Sequence, residues 1–249
     1  MLVLLPPSET KASADEGDPL DLAALSFPTL TRTRRALLRE VARLSRREPA
    51  AMSKALGLTP RQSGELVRNR SLVTAPALPA LELYTGILYD NLGYPSLRGR
   101  ARRRADESLL VCSALFGLLR PTDAVPPYRL SGGTVVPGVG GLAPVWRPVL
   151  EPLLVGQGFI VDLRSGDYAK LARVPGSVHV RVLRDDRGRR TVVSHDNKWT
   201  KGLLARALCV DGASSVADVA DVGRSVCDDV VVEGNRVDLL LYGLASARG

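Results

Sequence analysis

A proline-rich segment in the middle of the chain carries side chains suited to binding or catalysis. It follows the apolar run Leu109–Cys112, which has the length of a buried strand and ends at Ser113. Two guanidinium groups, a carboxylate and a phenol come next: Arg120, Asp123, Tyr128 and Arg129. Prolines preset the backbone and lower the entropy that is lost when a loop is ordered. The residues therefore predict either a polar ligand site at the end of a strand or a surface loop in which Arg120 pairs with Asp123.

The same arrangement, an apolar run followed by a polar loop, occurs at two other places in the chain. Val3–Leu5 precedes Ser8 and Lys11, and Phe159–Leu163 precedes a second group of polar residues. That second group consists of Ser165, Asp167 and Tyr168. Open α/β sheets bind their ligands at the carboxyl ends of the strands. We therefore expect the three polar loops to converge on one pocket.

A further anion site is predicted where a helix begins near residue 196. The segment HDNKWTKG opens a helix that runs to about Cys209, with Asp196 or Asn197 as its N-cap. Lys198 and Lys201 would share a face in its first turn, where each cation opposes the helix dipole by roughly 0.3–1 kcal/mol. A bound phosphate would offset that mismatch. Two exposed lysines on a helix that tolerates them are the alternative.

Basic helices precede the central segment. Arg34–Arg47 is predicted to be amphipathic, with its arginines mainly on a solvated face. In AMSKALGLTPRQSGELVRNR a helix should end at Gly57, and a second should begin after Thr59 at Pro60. Such a pair has a helix–hairpin–helix-like shape whose backbone N–H groups can contact DNA phosphates, although many helical pairs that bind nothing look the same. The residues predicted to contact DNA are Lys54, Thr59, Arg61, Arg68 and Arg70.

The charge balance favours a partner that bears phosphates. The chain has 34 Lys and Arg residues against 26 Asp and Glu, a net charge of +8, and its pI is about 9.8. The excess predicts double-stranded DNA, or a nucleotide or other phosphorylated ligand, as the partner, whereas a GC-rich genome would explain the arginine content equally well. No apolar run approaches the length of a membrane span, and the start MLVLLPP lacks the basic flank of a signal peptide. We expect a cytoplasmic protein without a membrane partner, and the sequence does not indicate an oligomeric state.

Cysteine and histidine are too few and too scattered to predict a metal or redox centre. Cys112, Cys209 and Cys227 form no CxxC pair, and the only histidines are His179 and His195. A structural zinc site needs four such ligands at characteristic spacings. We therefore expect no metal and no cofactor, and we expect Cys112 and Cys209 to be buried core thiols.

The central segment resembles the signature of the YaaA family, the peroxide-stress proteins. Here it reads CSALFGLLRPTDAVPPYRL, with Ala114 and Phe116 where the family has Gly and Tyr. The residues that match the signature in type and spacing are Gly117, Arg120, Pro121, Asp123, Pro127, Tyr128 and Arg129. The early segment LLPPSETK, the segment Phe159–Tyr168, and Tyr84 with Gly86 also resemble the family.

The resemblance implies a compact α/β fold and a role in hydroperoxide stress. We expect one domain over residues 1–249, with a mixed β-sheet flanked by helices. An N-terminal helical insertion at 30–107 would contain the helix–hairpin–helix-like element. The first expected function is DNA binding in the oxidative stress response, in which this element and the basic faces contact phosphates.

The alternative is an enzyme that acts on a phosphorylated small molecule, a nucleotide or a nucleoside, with glycosidic-bond cleavage as one suitable reaction. Its polar pocket would be built from residues 113–129, 162–170 and 195–202. Asp123 or Asp167 would be the general base, and Tyr84 or Tyr128 would orient the ligand. The other residues predicted to line the pocket or bind an anion are Ser8, Lys11, Ser113, Arg120, Arg129, Ser165, Tyr168, Lys198 and Lys201.

Overall fold

Strands and helices alternate along residues 1–243, the part of the chain that this computed structural model describes. The strands are β1 (Leu2–Leu5), β2 (Leu78–Pro79), β3 (Leu109–Ser113), β4 (Gly117–Leu119), β5 (Ala124–Val125), β6 (Val135–Val136), β7 (Gly140–Gly141), β8 (Ile160–Asp162), β9 (Val178–Asp186), β10 (Arg189–Thr191), β11 (Asp229–Glu233) and β12 (Arg236–Tyr242). The helices are α1 (Thr31–Arg47), α2 (Pro49–Ala55), α3 (Gly64–Arg70), α4 (Ala80–Leu83), α5 (Ile87–Leu92), α6 (Gly99–Ser108), α7 (Leu142–Leu154), α8 (Gly166–Ala169), α9 (Ser194–Asp211) and α10 (Val216–Gly223). Within these residues, no helix is both long and apolar enough to cross a membrane.

Most of the strands form one mixed sheet in the order β11–β12–β9–β8–β1–β3–β4, with β10 also paired to β9. The strands from β12 to β3 run parallel, whereas β11, β10 and β4 each pair antiparallel with their neighbour. Val3, Leu4 and Leu5 are completely buried in β1. Parallel strands covered on both faces have such continuous apolar sequences. The predicted α/β fold with a mixed sheet flanked by helices is confirmed.

Helices α1 to α6 occupy the predicted helical region before β3. Helix α1 is amphipathic as expected, with Leu37, Leu38 and Val41 on its buried face. Residues 81–92 have the apolar spacing of one helix, and in the structure they are divided between α4 and α5. The break lies at Gly86, whose φ of 95° is a conformation that residues with a Cβ rarely adopt.

The region predicted to resemble a helix–hairpin–helix contains α2 and α3 with a short 3-10 turn, Pro60–Gln62, between them. Gly57 has a φ of 63° just after α2, and Gln62 Oε1 accepts a hydrogen bond from the Thr59 N–H at 3.1 Å. Helix α3 begins at Gly64 rather than directly after Thr59. The structure shows a pair of short helices here, and a helix–hairpin–helix is not confirmed.

Helix α9 packs closely across α5, and together these helices position one side of the candidate site. The close approach depends on Gly202. A Cβ built there would lie 2.3 Å from the Leu88 carbonyl oxygen and 2.8 Å from Asn91 Cβ. Glycine permits backbone to approach backbone at such distances, and a side chain does not.

Candidate functional site

A cavity of about 470 Å³ opens at the carboxyl ends of the adjacent parallel strands β1 and β8. Strand β1 lies between β3 and β8, so the chain leaves β1 on one side and later returns on the other. Ligands in open α/β sheets bind at such a reversal of strand order. The cavity walls are the loop after β1 (residues 6–10), the start of α5 (86–89), residues 131–132, the loop after β8 (163–168) and the first turns of α9.

Small polar side chains line much of this cavity. The hydroxyl-bearing residues are Ser8, Thr10, Ser131, Ser165, Tyr168 and Ser194. Asn197 also lines it, and its buried Oδ1 accepts no hydrogen bond from any residue in 1–243. Buried polar atoms normally have a partner, so this oxygen is available to a ligand or a water molecule. The lining therefore favours a polar ligand.

The carboxylates that line the cavity are paired with cations, whereas the lysines that line it are not paired with carboxylates of the described residues. Glu9 and Asp167 both line it, but each carboxylate is bound by a cation from outside the lining. Arg129 Nη1 lies 3.1 Å from Glu9 Oε2, and Lys170 Nζ lies 2.9 Å from Asp167 Oδ1. Lys198 and Lys201 are the lining cations, and neither has a carboxylate oxygen within 4.0 Å among the described residues. The cavity is left with an excess of positive charge.

Lys201 is the buried cation of the site. Its side chain packs into the protein, the residue is only 6% exposed, and Nζ donates a hydrogen bond to the Leu163 carbonyl oxygen at 3.0 Å. Burial lowers the pKa of Lys201 to about 8, and the Asp162 carboxylate opposes this effect. Asp162 is itself bound by Arg164 at 2.9 Å and 2.7 Å, so its charge is already compensated.

Helix α9 starts earlier than the sequence predicts. Its N-cap is Val193, so the predicted N-cap at Asp196 or Asn197 is wrong. The chain enters the helix without a capping side chain, and Asp196 pairs with Arg184 instead of capping the helix. Lys198 and Lys201 consequently lie beyond the first turn, where they oppose the helix dipole less than expected. The backbone N–H groups at the start of α9 remain near the cavity, because Ser194 lines it.

Lys11 lies behind the cavity wall rather than in the lining. Its Nζ donates hydrogen bonds to the carbonyl oxygens of Ser8 at 2.8 Å and Glu9 at 3.4 Å. The ammonium also lies 4.3 Å from the centre of the Tyr128 ring, close enough for a cation–π contact. Burial and the nearby Arg129 lower the pKa of Lys11 to about 7. These contacts of Lys11 therefore hold the loop after β1 in place.

A buried chain of hydroxyl groups continues from Lys11 into the central segment. Tyr84 Oη and Tyr128 Oη lie 2.9 Å apart, and Tyr128 Oη lies 2.7 Å from Ser113 Oγ. Ser113 Oγ accepts hydrogen bonds from the backbone N–H groups of Leu115 and Phe116. Burial raises the pKa of Tyr84 and Tyr128 well above the ordinary value for a phenol. These phenols stay protonated and do not line the cavity.

Arg120 and Asp123 lie away from the cavity and hold the turn of the central segment. Asp123 Oδ1 accepts hydrogen bonds from the Ser26 N–H and hydroxyl, both at 2.9 Å, and Oδ2 accepts from the Arg120 N–H at 2.8 Å. The Arg120 guanidinium donates to the Glu107 carbonyl oxygen. The structure thus brings most of the predicted loops together, but it gives these two side chains structural contacts.

The residues predicted to contact DNA differ in how free their charges are. Lys54 and Arg61 are exposed, and within residues 1–243 they form no ion pair. Arg68 pairs with Glu65 at 3.0 Å, and Arg70 Nε donates to the Ser45 carbonyl oxygen at 2.8 Å. Exposed unpaired cations can bind phosphates at the smallest cost, because no existing contact must be broken.

Arg34 is a buried residue whose role the sequence did not indicate. It is completely buried, and its guanidinium donates to the carbonyl oxygens of Phe116, Ser26 and Leu118 at 2.7–2.8 Å. Burial lowers the pKa of Arg34 to about 10. Its position three residues before Leu37 on the apolar face is the one signal that could have revealed it. Sequence reasoning also missed the cavity residues Thr10, Ser131 and Ser194.

Comparison with known proteins identifies the family. The family model described as peroxide stress protein YaaA matches residues 1–225. A UPF0246 protein of Streptomyces coelicolor is 42% identical over 97% of this chain and 99% of its own length. A UPF0246 protein of Corynebacterium efficiens is also 42% identical, over 96% of this chain and 98% of its own. The chain belongs to the YaaA (UPF0246) family of peroxide stress proteins.

Proposed function

We propose that the cavity at the ends of β1 and β8 binds a phosphorylated small molecule or a nucleotide. The observation that carries this proposal is the unequal pairing of charge. The lining carboxylates are held by Arg129 and Lys170, whereas Lys198 and Lys201 have no carboxylate partner among the described residues. The start of α9 adds backbone N–H groups, which favour an anion.

The size and lining of the cavity agree with such a ligand. A volume of about 470 Å³ lies within the range of roughly 300–1,000 Å³ that is typical of small-molecule sites. Hydroxyl groups and the unpaired Asn197 Oδ1 can bind the polar part of a sugar or a base. A cavity of this volume can enclose a small molecule but not a DNA duplex.

Binding is tested by isothermal calorimetry with inorganic phosphate, ribose 5-phosphate and adenosine monophosphate. Lys198→Ala should weaken binding of the preferred ligand about tenfold or more, which is the effect of losing one charged hydrogen bond. Lys54→Ala is the matched control, since Lys54 is exposed, forms no ion pair among the described residues and does not line the cavity. Absence of binding by any of the three ligands, or an equal loss in both variants, would argue against the proposal.

DNA binding is the second candidate, and the exposed cations beside the turn between α2 and α3 support it. Lys54 and Arg61 are free to contact phosphates, whereas Arg68 is engaged by Glu65. We propose non-specific contact with duplex phosphates, whose affinity falls steeply with salt. A short duplex is titrated at several salt concentrations, and the logarithm of the binding constant is plotted against the logarithm of the salt concentration. The steepness of this plot should decrease by about 1 for Lys54→Ala and by about 1 for Arg61→Ala. An unchanged slope in both variants would contradict a contact through this turn.

A role in hydroperoxide stress would then operate through the bound ligand or through DNA rather than through direct thiol chemistry. Burial raises the pKa of Cys112 to about 11 and that of Cys209 to about 12, and it also raises the pKa of the half-buried Cys227, so all three thiols stay protonated near neutral pH. The thiolate is the form that reacts with peroxides. Cells that lack the protein should become sensitive to hydrogen peroxide. We expect wild type and Cys112→Ser to restore resistance and Lys198→Ala to fail, whereas failure of Cys112→Ser alone would indicate thiol chemistry.

A further inference from the structure

We propose that Lys201 is a nucleophilic amine that forms an imine with the carbonyl group of a phosphorylated aldehyde or ketone in the cavity. The inference rests on the proposed function, because it assumes that the cavity binds the phosphate of the same ligand. It adds the substrate class and the residue that would bind the ligand covalently.

The contacts of Lys201 leave its nitrogen available to a ligand. Nζ has one hydrogen-bond partner, the Leu163 carbonyl oxygen at 3.0 Å, and the residue lines the cavity. Within residues 1–243 no carboxylate oxygen lies within 4.0 Å of Nζ to hold it as an ammonium ion. A lysine that is desolvated and not paired with an acid is the usual form of a Schiff-base lysine.

Lys11 is also buried, but its surroundings exclude the same role. Its Nζ is directed to the carbonyl oxygens of Ser8 and Glu9 and rests on the Tyr128 ring. It does not line the cavity. A ligand in the cavity would therefore meet Lys201 and not Lys11.

The protonation of Lys201 supports its chemistry. Because burial lowers the pKa of Lys201 to about 8, roughly a tenth of the amine is neutral at pH 7, against less than about 0.1% for an ordinary lysine. Only the neutral amine attacks a carbonyl carbon. The neighbouring Asp162 carboxylate accepts hydrogen bonds from Arg164 at both oxygens. It is therefore not free to form an ion pair with Lys201.

Lys198 and Lys201 divide the cavity into two subsites. Lys198 lies three residues earlier on α9 and is exposed, so it can bind a phosphate together with Ser194 at the start of the helix. Three residues of helix correspond to about 4.5 Å along its axis. Residues three apart are neighbours on a helix surface, so a ligand whose phosphate is bound at Lys198 can present a nearby carbonyl group to Lys201, as a short phosphorylated aldehyde or ketone would.

The covalent step balances without a further reactant. The neutral amine nitrogen attacks the carbonyl carbon, and a C–N bond forms as the C–O π bond breaks. Loss of the oxygen with both amine protons then yields an imine and one water molecule. No oxidant or reductant takes part.

The test is reductive trapping on the full-length protein with pyridoxal 5′-phosphate as the probe, because it carries an aldehyde and a phosphate. After treatment with borohydride, peptide mapping by mass spectrometry should find one predominant modification, on Lys201. Inorganic phosphate should suppress it, and pyridoxal, which lacks the phosphate, should label Lys201 at least about tenfold less. Labelling should increase as the pH rises through about 8.

Each outcome decides between the two proposals. Phosphate binding by calorimetry without labelling of Lys201 would overturn the inference and leave the proposed function intact. Predominant labelling of Lys198, Lys11 or Lys170 would also overturn it, and equal labelling by pyridoxal would overturn the phosphorylated substrate class. Failure of both phosphate binding and labelling would remove both proposals. Lys201→Arg should lose the label while Lys170→Arg keeps it, and the wild-type mapping decides the question even if Lys201→Arg does not fold.

Discussion

Replacing Gly202 by alanine tests the contact between α9 and α5 that shapes one wall of the cavity. The new Cβ would lie 2.3 Å from the Leu88 carbonyl oxygen, whereas an ordinary van der Waals contact starts at 3.4 Å. The obstacle is backbone in the first turn of α5 rather than the end of a flexible side chain. The two helices must therefore separate by about 1 Å, because close-packed interiors do not absorb such an overlap.

Two effects of opposite sign set the size of the change in stability. Alanine is favoured over glycine in a helix by roughly 1 kcal/mol. Overpacking costs about 1–3 kcal/mol, and contact with a rigid carbonyl places this site in the upper part of that range. The net loss of unfolding free energy should be about 1–2 kcal/mol. At about 2–4 °C for each kcal/mol in a chain of this size, the melting temperature should fall by roughly 2–8 °C.

Thermal unfolding followed by circular dichroism measures this effect, with Gly64→Ala as the matched control. Gly64 is the first residue of α3, and a Cβ there meets nothing within 4 Å. Its replacement should leave the melting temperature unchanged or slightly higher. Because α5 contributes residues 86–89 to the cavity wall, Gly202→Ala should also weaken ligand binding. A melting temperature for Gly202→Ala at or above that of Gly64→Ala would refute the close helix contact.

Three further substitutions test the buried polar groups. Arg34→Leu leaves three carbonyl oxygens without their donor and should cost about 3 kcal/mol or more, whereas Arg35→Leu on the exposed face should change stability by less than about 0.5 kcal/mol in urea unfolding. Tyr128→Phe removes the hydroxyl between Tyr84 and Ser113 and should cost about 1–3 kcal/mol, so an unchanged urea midpoint would contradict the hydroxyl chain. The lowered pKa of Lys11, about 7, means that the unfolded chain binds more protons than the folded one between about pH 7 and 10.5, so this residue makes stability rise with pH across that window. Urea unfolding at pH 7 and 9 should show that rise weakened in Lys11→Met by up to about 1.4 kcal/mol per pH unit, and an unchanged pH dependence would count against the lowered pKa of Lys11.

The apolar runs of the sequence and the family resemblance together predicted the fold class, and the runs did so because parallel strands buried on both faces leave a continuous apolar pattern. The runs around Val3, Val111 and Val161 all became neighbouring strands of the sheet. The convergence of their polar loops followed from the geometry of parallel sheets alone. The apolar pattern did not predict the break between α4 and α5 at Gly86, because glycine in an apolar helical pattern is compatible with both a helix and a break.

The positions of charged residues were harder to predict, because the sequence does not distinguish an arginine that is solvated from one that is paired or buried. Arg34 looked like a member of the solvated face of α1, yet it binds three carbonyl oxygens in the core. Arg120 looked like an anion ligand, yet it donates to the Glu107 carbonyl oxygen. The long stem and several donors of arginine allow all of these roles, and only the three-dimensional surroundings decide among them.

The central signature acts mainly as a brace for the connection after β3. Gly117 has a φ of 72°, and a Cβ there would lie 2.7 Å from the Trp146 ring, whose Nε1 donates to the Ala114 carbonyl oxygen at 2.8 Å. These contacts fix the connection after β3 and thereby place Tyr128 beneath Lys11. Lys11 in turn holds the loop after β1 that forms part of the cavity. Substitutions in the signature should therefore reduce stability directly, and they should affect ligand binding only through the position of that loop.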